Sequence, residues 1–140
     1  MKNLTLCYTL ALASLVVFSG CKKDDDKATP AATVKAKLMA NTWKFKSLLV
    51  GGVDVTNQFV AACDRDNTLK FDATNAVTGE GATACTPPSA STEPYFLRTN
   101  DTEIGLVSDG DTSFLEIVTL DASNLVLEEP FSSSQATYIK

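Results

Sequence analysis

The sequence predicts an all-β domain, either a barrel or a sandwich. Apolar and polar side chains alternate with a period of two along several short runs, most clearly in W-K-F-K-S-L at residues 43–48. Such alternation indicates half-buried strands. Glycine, asparagine, aspartate and proline residues separate the runs at short intervals. Seven or eight short strands spaced by turn residues are typical of β-barrels and β-sandwiches.

The elements follow one another along residues 33–140. Residues 33–40, T-V-K-A-K-L-M-A, predict a short amphipathic helix with Thr33 as its cap. After the strand at 43–48, Gly51-Gly52 predicts a turn, 53–55 a brief extended piece and 56–60 a helical turn. Proline and serine at 87–92 predict a long loop. The remaining predicted strands are at 69–72, 76–78, 95–97, 104–107, 114–120, 125–127 and 136–139.

Residues 1–20 have the layout of a secretory signal. A short basic start precedes an almost unbroken apolar run at residues 4–18, which ends at the small residues Ser19 and Gly20. A helix needs roughly 20 apolar residues to span a bilayer, so this run predicts a cleaved signal and not a permanent anchor.

Ser19-Gly20-Cys21 closely resembles a bacterial lipobox. The resemblance implies cleavage before Cys21 and attachment of diacylglycerol to its sulfur. Two or three acyl chains, at about 0.8 kcal/mol per buried methylene, hold a protein on a membrane where a single chain does not. We therefore expect Cys21 to anchor the protein to a membrane through lipid. The alternative is a secreted protein with an incidental cysteine beside its cleavage site.

Residues 21–32 predict a flexible tether. K-K-D-D-D-K and A-T-P-A-A contain no aromatic or large aliphatic side chain that could order them by burial. The acidic cluster also resembles the export signal that sends some Gram-negative lipoproteins to the outer face of the outer membrane. We expect an outer-membrane lipoprotein that is exposed at the cell surface or otherwise faces the periplasm. A merely solvated linker is the alternative reading of the cluster.

Charge excludes one class of partner. Removal of residues 1–20 takes one of the 12 basic residues and none of the 17 acidic ones, so 11 remain against 17 and the net charge is −6. The mature chain contains no basic stripe. We expect no nucleic-acid partner, because a chain of this charge is repelled by phosphate backbones.

Two of the four cysteines remain once Cys7 leaves with the signal and Cys21 carries lipid. In an oxidising compartment the even remainder, Cys63 and Cys85, predicts a disulfide worth roughly 2–4 kcal/mol. A metal-binding pair is the rival reading. Zinc would lack soft ligands, because the chain has no histidine and no C-x-x-C spacing, so we expect no metal.

The absence of histidine also argues against enzymatic activity. Ser-His and Cys-His nucleophile pairs and imidazole proton shuttles are excluded. Carboxylate catalysis needs an acid and a base, and three pairs are candidates: Asp64 and Asp66, Asp109 and Asp111, and Glu128 and Glu129. A polar turn, an Asp-Gly hairpin and a charged strand end explain the three pairs more simply. We expect a non-catalytic protein without catalytic residues or a cofactor.

Four segments in order carry a family resemblance: L-M-A-N-T-W-K-F-K-S, G-G-V-D-V-T-N-Q-F, A-C-D-R-D-N-T-L-K-F and G-E-G-A-T-A-C. Together they resemble the lipocalin-like domain of bacterial lipoproteins over residues 34–140. The resemblance implies a small antiparallel eight-stranded calycin barrel, an early tryptophan on the first strand, and cysteines placed like Cys63 and Cys85.

Eight strands enclose enough room for core side chains or for one small ligand. If the first strand points Trp43 inward, six aromatic residues are candidates for the interior, as core filler or as the wall of a ligand cavity. These candidate ligand-binding residues are Trp43, Phe45, Phe71, Tyr95, Phe114 and Tyr138.

Two functions therefore remain open. The first is non-catalytic binding of a small apolar or amphipathic ligand in the barrel of a membrane-anchored lipoprotein. The second is a structural or interaction module on the cell surface, whose loops at residues 61–67 or 86–93 bind a protein or glycan partner. The sequence predicts no particular oligomeric state.

Overall fold

The computed structural model describes residues 32–140. The predicted signal at 1–20, the lipidation site Cys21 and residues 21–31 of the predicted tether lie outside the described residues, and these three features remain predictions. No helix within the described part has the length and hydrophobicity needed to cross a bilayer.

Short helices and nine strands make up the described chain. The helical segments are α1 (Val34–Met39), α2 (Thr56–Phe59) and a 3₁₀ turn (Ala62–Asp64). The strands are β1 (Thr42–Val50), β2 (Val53–Asp54), β3 (Thr68–Phe71), β4 (Asn75–Gly79), β5 (Ser91–Arg98), β6 (Glu103–Ser108), β7 (Asp111–Leu120), β8 (Asn124–Glu129) and β9 (Ser134–Ile139).

The sheet closes into a barrel. Antiparallel neighbours run in the order β1-β3-β4-β5-β6-β7-β8-β9, and β1 pairs again with β9. The two-residue β2 pairs only with the end of β1, so eight strands form the wall. The predicted all-β class, the eight-stranded antiparallel barrel and the short N-terminal helix are confirmed. Closure between β1 and β9 excludes the sandwich.

A bulge in β7 keeps apolar side chains inside the barrel. The β7–β8 register shifts between Ile117 and Thr119, so Leu115, Ile117 and Leu120 all pack on the core. The residue passed over, Val118, is 47% exposed. Without the extra residue the strand's alternation would place Leu120 outside, because a one-residue slip exchanges the two faces of a strand. A second shift lies in β1 between Phe45 and Ser47.

One end of the barrel is plugged by α1, and we call it the α1 end. Thr33 Oγ1 accepts a hydrogen bond from Ala36 N, 3.2 Å away, which begins the helix as predicted. Leu38 then lies fully buried beside Trp43, whose indole Nε1 donates to Leu38 O at 3.0 Å. The tryptophan therefore joins the plug to the first strand by both packing and a buried hydrogen bond.

Two turns at the α1 end share one sequence pattern. Asp72-Ala73-Thr74-Asn75 connects β3 to β4, and Asp121-Ala122-Ser123-Asn124 connects β7 to β8. Asp72 Oδ1 accepts from Thr74 N at 2.7 Å and from Asn75 N at 2.6 Å, and Asp121 repeats both bonds. These backbone N–H groups hold the pKa of Asp72 below its usual value, and the equivalent groups, with the Asn124 amide, do so for Asp121.

The opposite end, which we call the mouth end, carries the longer connections. The β1–β2 turn, α2, the 3₁₀ turn, the β4–β5 connection and the turns before β7 and β9 all lie there. Asp109 and Gly110 have φ values of 52° and 91°, so the predicted Asp-Gly hairpin is present between β6 and β7. A disulfide between Cys63 and Cys85, with their Cα atoms 5.3 Å apart, confirms the predicted bridge.

Candidate functional site

Three of the six predicted interior aromatic residues are buried near the α1 end. Trp43, Phe71 and Tyr95 belong to one core cluster. The rings of Phe71 and Tyr95 meet edge to face with centroids 5.1 Å apart, and the Tyr95 hydroxyl donates to Asp72 O at 3.0 Å. Burial, with a smaller contribution from the Asp72 charge, raises the pKa of Tyr95. These residues fill space and fix the plugged end, and Phe71 also forms part of a cavity wall.

Phe45 and Tyr138 lie farther toward the mouth end. They are paired across β1 and β9, and their rings meet edge to face at 5.8 Å. Both residues line unfilled space inside the barrel, and burial raises the pKa of Tyr138. The structure thus brings these two predicted residues to a cavity wall.

Phe114 is not in the interior, and that prediction is wrong. The registers place Leu97, Ile104 and Leu115 in one row, and all three belong to or pack on the core. The neighbouring row, Phe96, Gly105 and Phe114, therefore faces outward. Outside, the Arg98 guanidinium lies 3.5 Å from the centroid of the Phe114 ring. A Cβ on Gly105 would lie 2.4 Å from the Phe96 ring, so glycine lets that ring cover the strand.

Two adjoining cavities, both partly open to solvent, extend from the barrel interior toward the mouth end. The inner cavity, of about 110 Å³, has a mainly apolar wall. The outer cavity, of about 190 Å³, lies next to it beneath the segment that carries α2 and the 3₁₀ turn. Leu69, Thr78 and Tyr138 line both. The inner wall is Leu69, Phe71, Ala76, Thr78, Glu93, Ile104, Leu106, Leu115, Leu127 and Tyr138, and the outer wall adds Phe45, Val60, Asp64, Asn67 and Thr68.

Glu93 is an acidic side chain in the wall of the inner cavity. The register pairs it with Ala76, a core residue, so its side chain shares the inner face of β5 with Tyr95. Within residues 32–140 its carboxylate has no hydrogen-bond donor and no ion-pair partner. The sequence prediction missed Glu93 because the strand was expected to begin at Tyr95. The alternation Glu93-x-Tyr95-x-Leu97 was the available signal.

The wall beside Glu93 is only half paired. β5 pairs with β6 from Tyr95 to Arg98, whereas Ser91–Pro94 pair with β4 alone. Tyr95 N donates to Thr74 O on the β4 side, so the amide of residue 94 faces β6. Residue 94 is proline and has no N–H to donate, which explains why the β5–β6 ladder stops there. The inner cavity therefore reaches a seam, which we define as Ser91–Pro94 of β5, where β5 is not paired with β6.

A polar network holds the mouth end in place around the disulfide. Asn67 is 8% exposed, and its amide nitrogen donates to Asp64 Oδ1 at 3.0 Å and to Ser89 Oγ at 2.9 Å. Its amide oxygen accepts from Gly81 N at 3.1 Å. Glu80 Oε1 accepts from Ser89 N at 2.9 Å. These bonds connect the start of β3 to the β4–β5 connection. The disulfide joins the same connection to the 3₁₀ turn that precedes β3.

The three carboxylate pairs considered for catalysis occupy structural positions. Asp64 and Asp66 accept bonds within the mouth network, the latter from Thr83 N at 2.9 Å. Asp109 and Asp111 flank the hairpin glycine. Glu128 and Glu129 accept bonds from Gln135 and Ser132 respectively. Asp64 also lies near both Cys63 and Cys85, but the sulfurs are bonded to each other and offer no thiolate to a metal.

Residues 32–140 define a small closed β-barrel with a cavity that is lined mostly by apolar residues and has the carboxylate of Glu93 in its wall. No protein-family model, curated protein or solved structure matches the chain.

Proposed function

We propose that this protein is a lipid-anchored bacterial lipoprotein of the lipocalin-like class that binds a small amphipathic molecule inside its barrel. The observation that carries the proposal is the pair of adjoining cavities. Buried side chains usually fill the core of a small barrel and leave few spaces larger than a water molecule. Two cavities beside Tyr138, partly open to solvent, leave space unfilled in a region lined by both aromatic and polar side chains.

Cavity size limits the ligand. Pockets for drug-sized molecules span about 300–1,000 Å³, and the two cavities, of about 110 and 190 Å³, each fall below that range. An apolar cavity of about 150 Å³ binds benzene in another protein. We therefore propose a ligand whose apolar part is a single ring or a short alkyl group. A long acyl chain would not fit without a rearrangement of the core.

Binding is tested with benzyl alcohol as a neutral probe of that size. We expect saturable one-site binding in a calorimetric or NMR titration of the full chain. Ala76 is 5% exposed and lines the inner cavity, so Ala76→Leu is expected to weaken binding at least about tenfold by occupying the site. Val118→Leu adds apolar bulk on the outer face and should bind like the wild type.

Absence of saturable binding to folded wild-type protein would overturn the proposed ligand site. Equal affinity in folded Ala76→Leu would place the probe elsewhere and would also overturn it. A folded barrel that binds no probe would favour the second candidate, an interaction module. That candidate is supported by Phe59 and Phe131 at the mouth end, which are 71% and 94% exposed.

Anchoring is tested on protein extracted from the membranes of a bacterial host that processes lipoproteins. We expect the intact mass to equal that of a chain that begins at residue 21 and carries two or three acyl chains. We expect the Cys21→Ala variant to be absent from the membrane fraction. An unmodified first residue, or a chain that retains residues 1–20, would contradict the lipoprotein assignment. Protease treatment of intact cells then distinguishes the outer face from the periplasm.

A further inference from the structure

We infer that the barrel selects ligands that carry a positively charged amine, with Glu93 as the group that receives it. The inference rests on the proposed ligand site and adds the chemical class of the ligand. Glu93 lies in the wall of the inner cavity, and among the described residues its carboxylate has no ion-pair or hydrogen-bond partner. Glu93 is partly buried, and a bound cation with N–H donors would give its carboxylate a charge-assisted hydrogen bond.

The charges around the two cavities favour a cation. Among residues 32–140, two acidic residues line them, Glu93 in the inner cavity and Asp64 in the outer one, and no lysine or arginine does. Asp64 already accepts a bond from the Asn67 amide, which leaves Glu93 as the acceptor without a partner in the described chain. An anionic ligand would meet repulsion from both carboxylates and find no basic residue in the wall.

The aromatic rings in the cavity walls also favour a cationic ligand. Phe71 and Tyr138 belong to the wall that contains Glu93, and Phe45 lines the adjoining outer cavity. Ring faces attract ammonium groups, and the attraction increases when the pair is desolvated. A primary amine attached to a ring or a short alkyl group thus matches the carboxylate, the rings and the small volume together.

The position of Glu93 also leaves a place for the amine group of the ligand. Glu93 stands next to Pro94, where the β5–β6 ladder stops, and Ser91–Pro94 have no partners on β6. A head group at this seam can bond to Glu93 without breaking a ladder hydrogen bond, while its apolar part lies against the aliphatic residues Ile104, Leu106 and Leu115. The other elements of the barrel contribute only apolar or uncharged side chains to this cavity.

The first test compares three probes of matched shape on the wild-type protein: benzylamine, benzyl alcohol and benzoate. We expect benzylamine to bind at least about tenfold more tightly than benzyl alcohol, because a charge-assisted hydrogen bond replaces a neutral one, and benzoate to bind most weakly. If benzyl alcohol binds and benzylamine binds no better, the amine inference fails and the ligand site stands. If none of the probes binds, the proposed function itself fails.

The second test uses Glu93→Gln, which keeps the side-chain shape and removes the charge. The ratio of benzyl alcohol to benzylamine dissociation constants is expected to fall from about ten or more to near one. Glu116→Gln removes the same charge from an exposed position on β7 and should keep the wild-type ratio. A Glu93→Gln protein that melts as the wild type does and retains the preference for benzylamine would overturn the assignment of Glu93.

Discussion

Replacing Trp43 with alanine is expected to lower the free energy of unfolding by about 3–5 kcal/mol. Trp43 is the largest fully buried side chain in the described part of the protein, and its loss would leave a cavity between α1 and the first strand. The change also removes the Nε1–H that bonds to Leu38 O inside the core. Chemical denaturation monitored by circular dichroism measures the effect.

Two further variants separate the causes. Trp43→Phe keeps an aromatic ring but leaves Leu38 O without its donor. We expect the missing hydrogen bond to lower the free energy of unfolding by about 1–3 kcal/mol, and the smaller ring to lower it further. Phe131→Ala removes an aromatic ring that is 94% exposed and should change stability by less than about 0.5 kcal/mol. A loss below about 1 kcal/mol in Trp43→Ala would contradict the role of Trp43 in joining the plug to the barrel.

Removal of the disulfide is expected to cost about 3 kcal/mol. Cys63 and Cys85 are 22 residues apart, and a closed loop of this length restricts the unfolded chain by about that amount in the loop-entropy model. The double variant Cys63→Ser/Cys85→Ser therefore should unfold at a lower denaturant concentration. The effect is measured as the shift of the denaturation midpoint, and it reports stability directly if the slope of the transition is the same in both proteins.

Chemical reduction supplies the control for that experiment. A thiol reductant should lower the midpoint of the wild-type protein to near that of the double variant, and it should leave the double variant unchanged. The bonds that Asn67 donates to Asp64 and Ser89 and accepts from Gly81 N do not depend on the bridge and should hold the mouth end in its folded form. A wild-type midpoint that does not respond to complete reduction would contradict the stabilising role of the disulfide.

The strand pattern could be predicted because alternation records which face of each strand is buried. Trp43, Phe45 and Phe71 were placed correctly in the interior for this reason. Phe114 was not, because an aromatic ring in a strand can face either side. Only the register with Gly105 and Phe96 shows that it is outside. The bulge that skips Val118 was equally hidden, because residues 117–120, I-V-T-L, contain only apolar residues and a threonine.

The candidate site was only half predictable. Aromatic residues indicated where an interior would be, and Phe45, Phe71 and Tyr138 do line its cavities. A charged residue such as Glu93 is normally expected on the outer face of a strand, so alternation alone did not identify it as part of the wall. Its place depends on the pairing of β5 with β4, which is a long-range property of the closed sheet. The volume of the cavities likewise depends on packing between distant strands.

The half-paired seam has a consequence for self-association. A strand edge that offers free donors and acceptors can recruit a strand from another molecule and begin a fibril. Here the free edge of β5 presents Pro94, which cannot donate, next to the charge of Glu93, and both features discourage such recruitment. Pro94, which ends the β5–β6 ladder, therefore also makes this edge a poor template for a strand from another molecule.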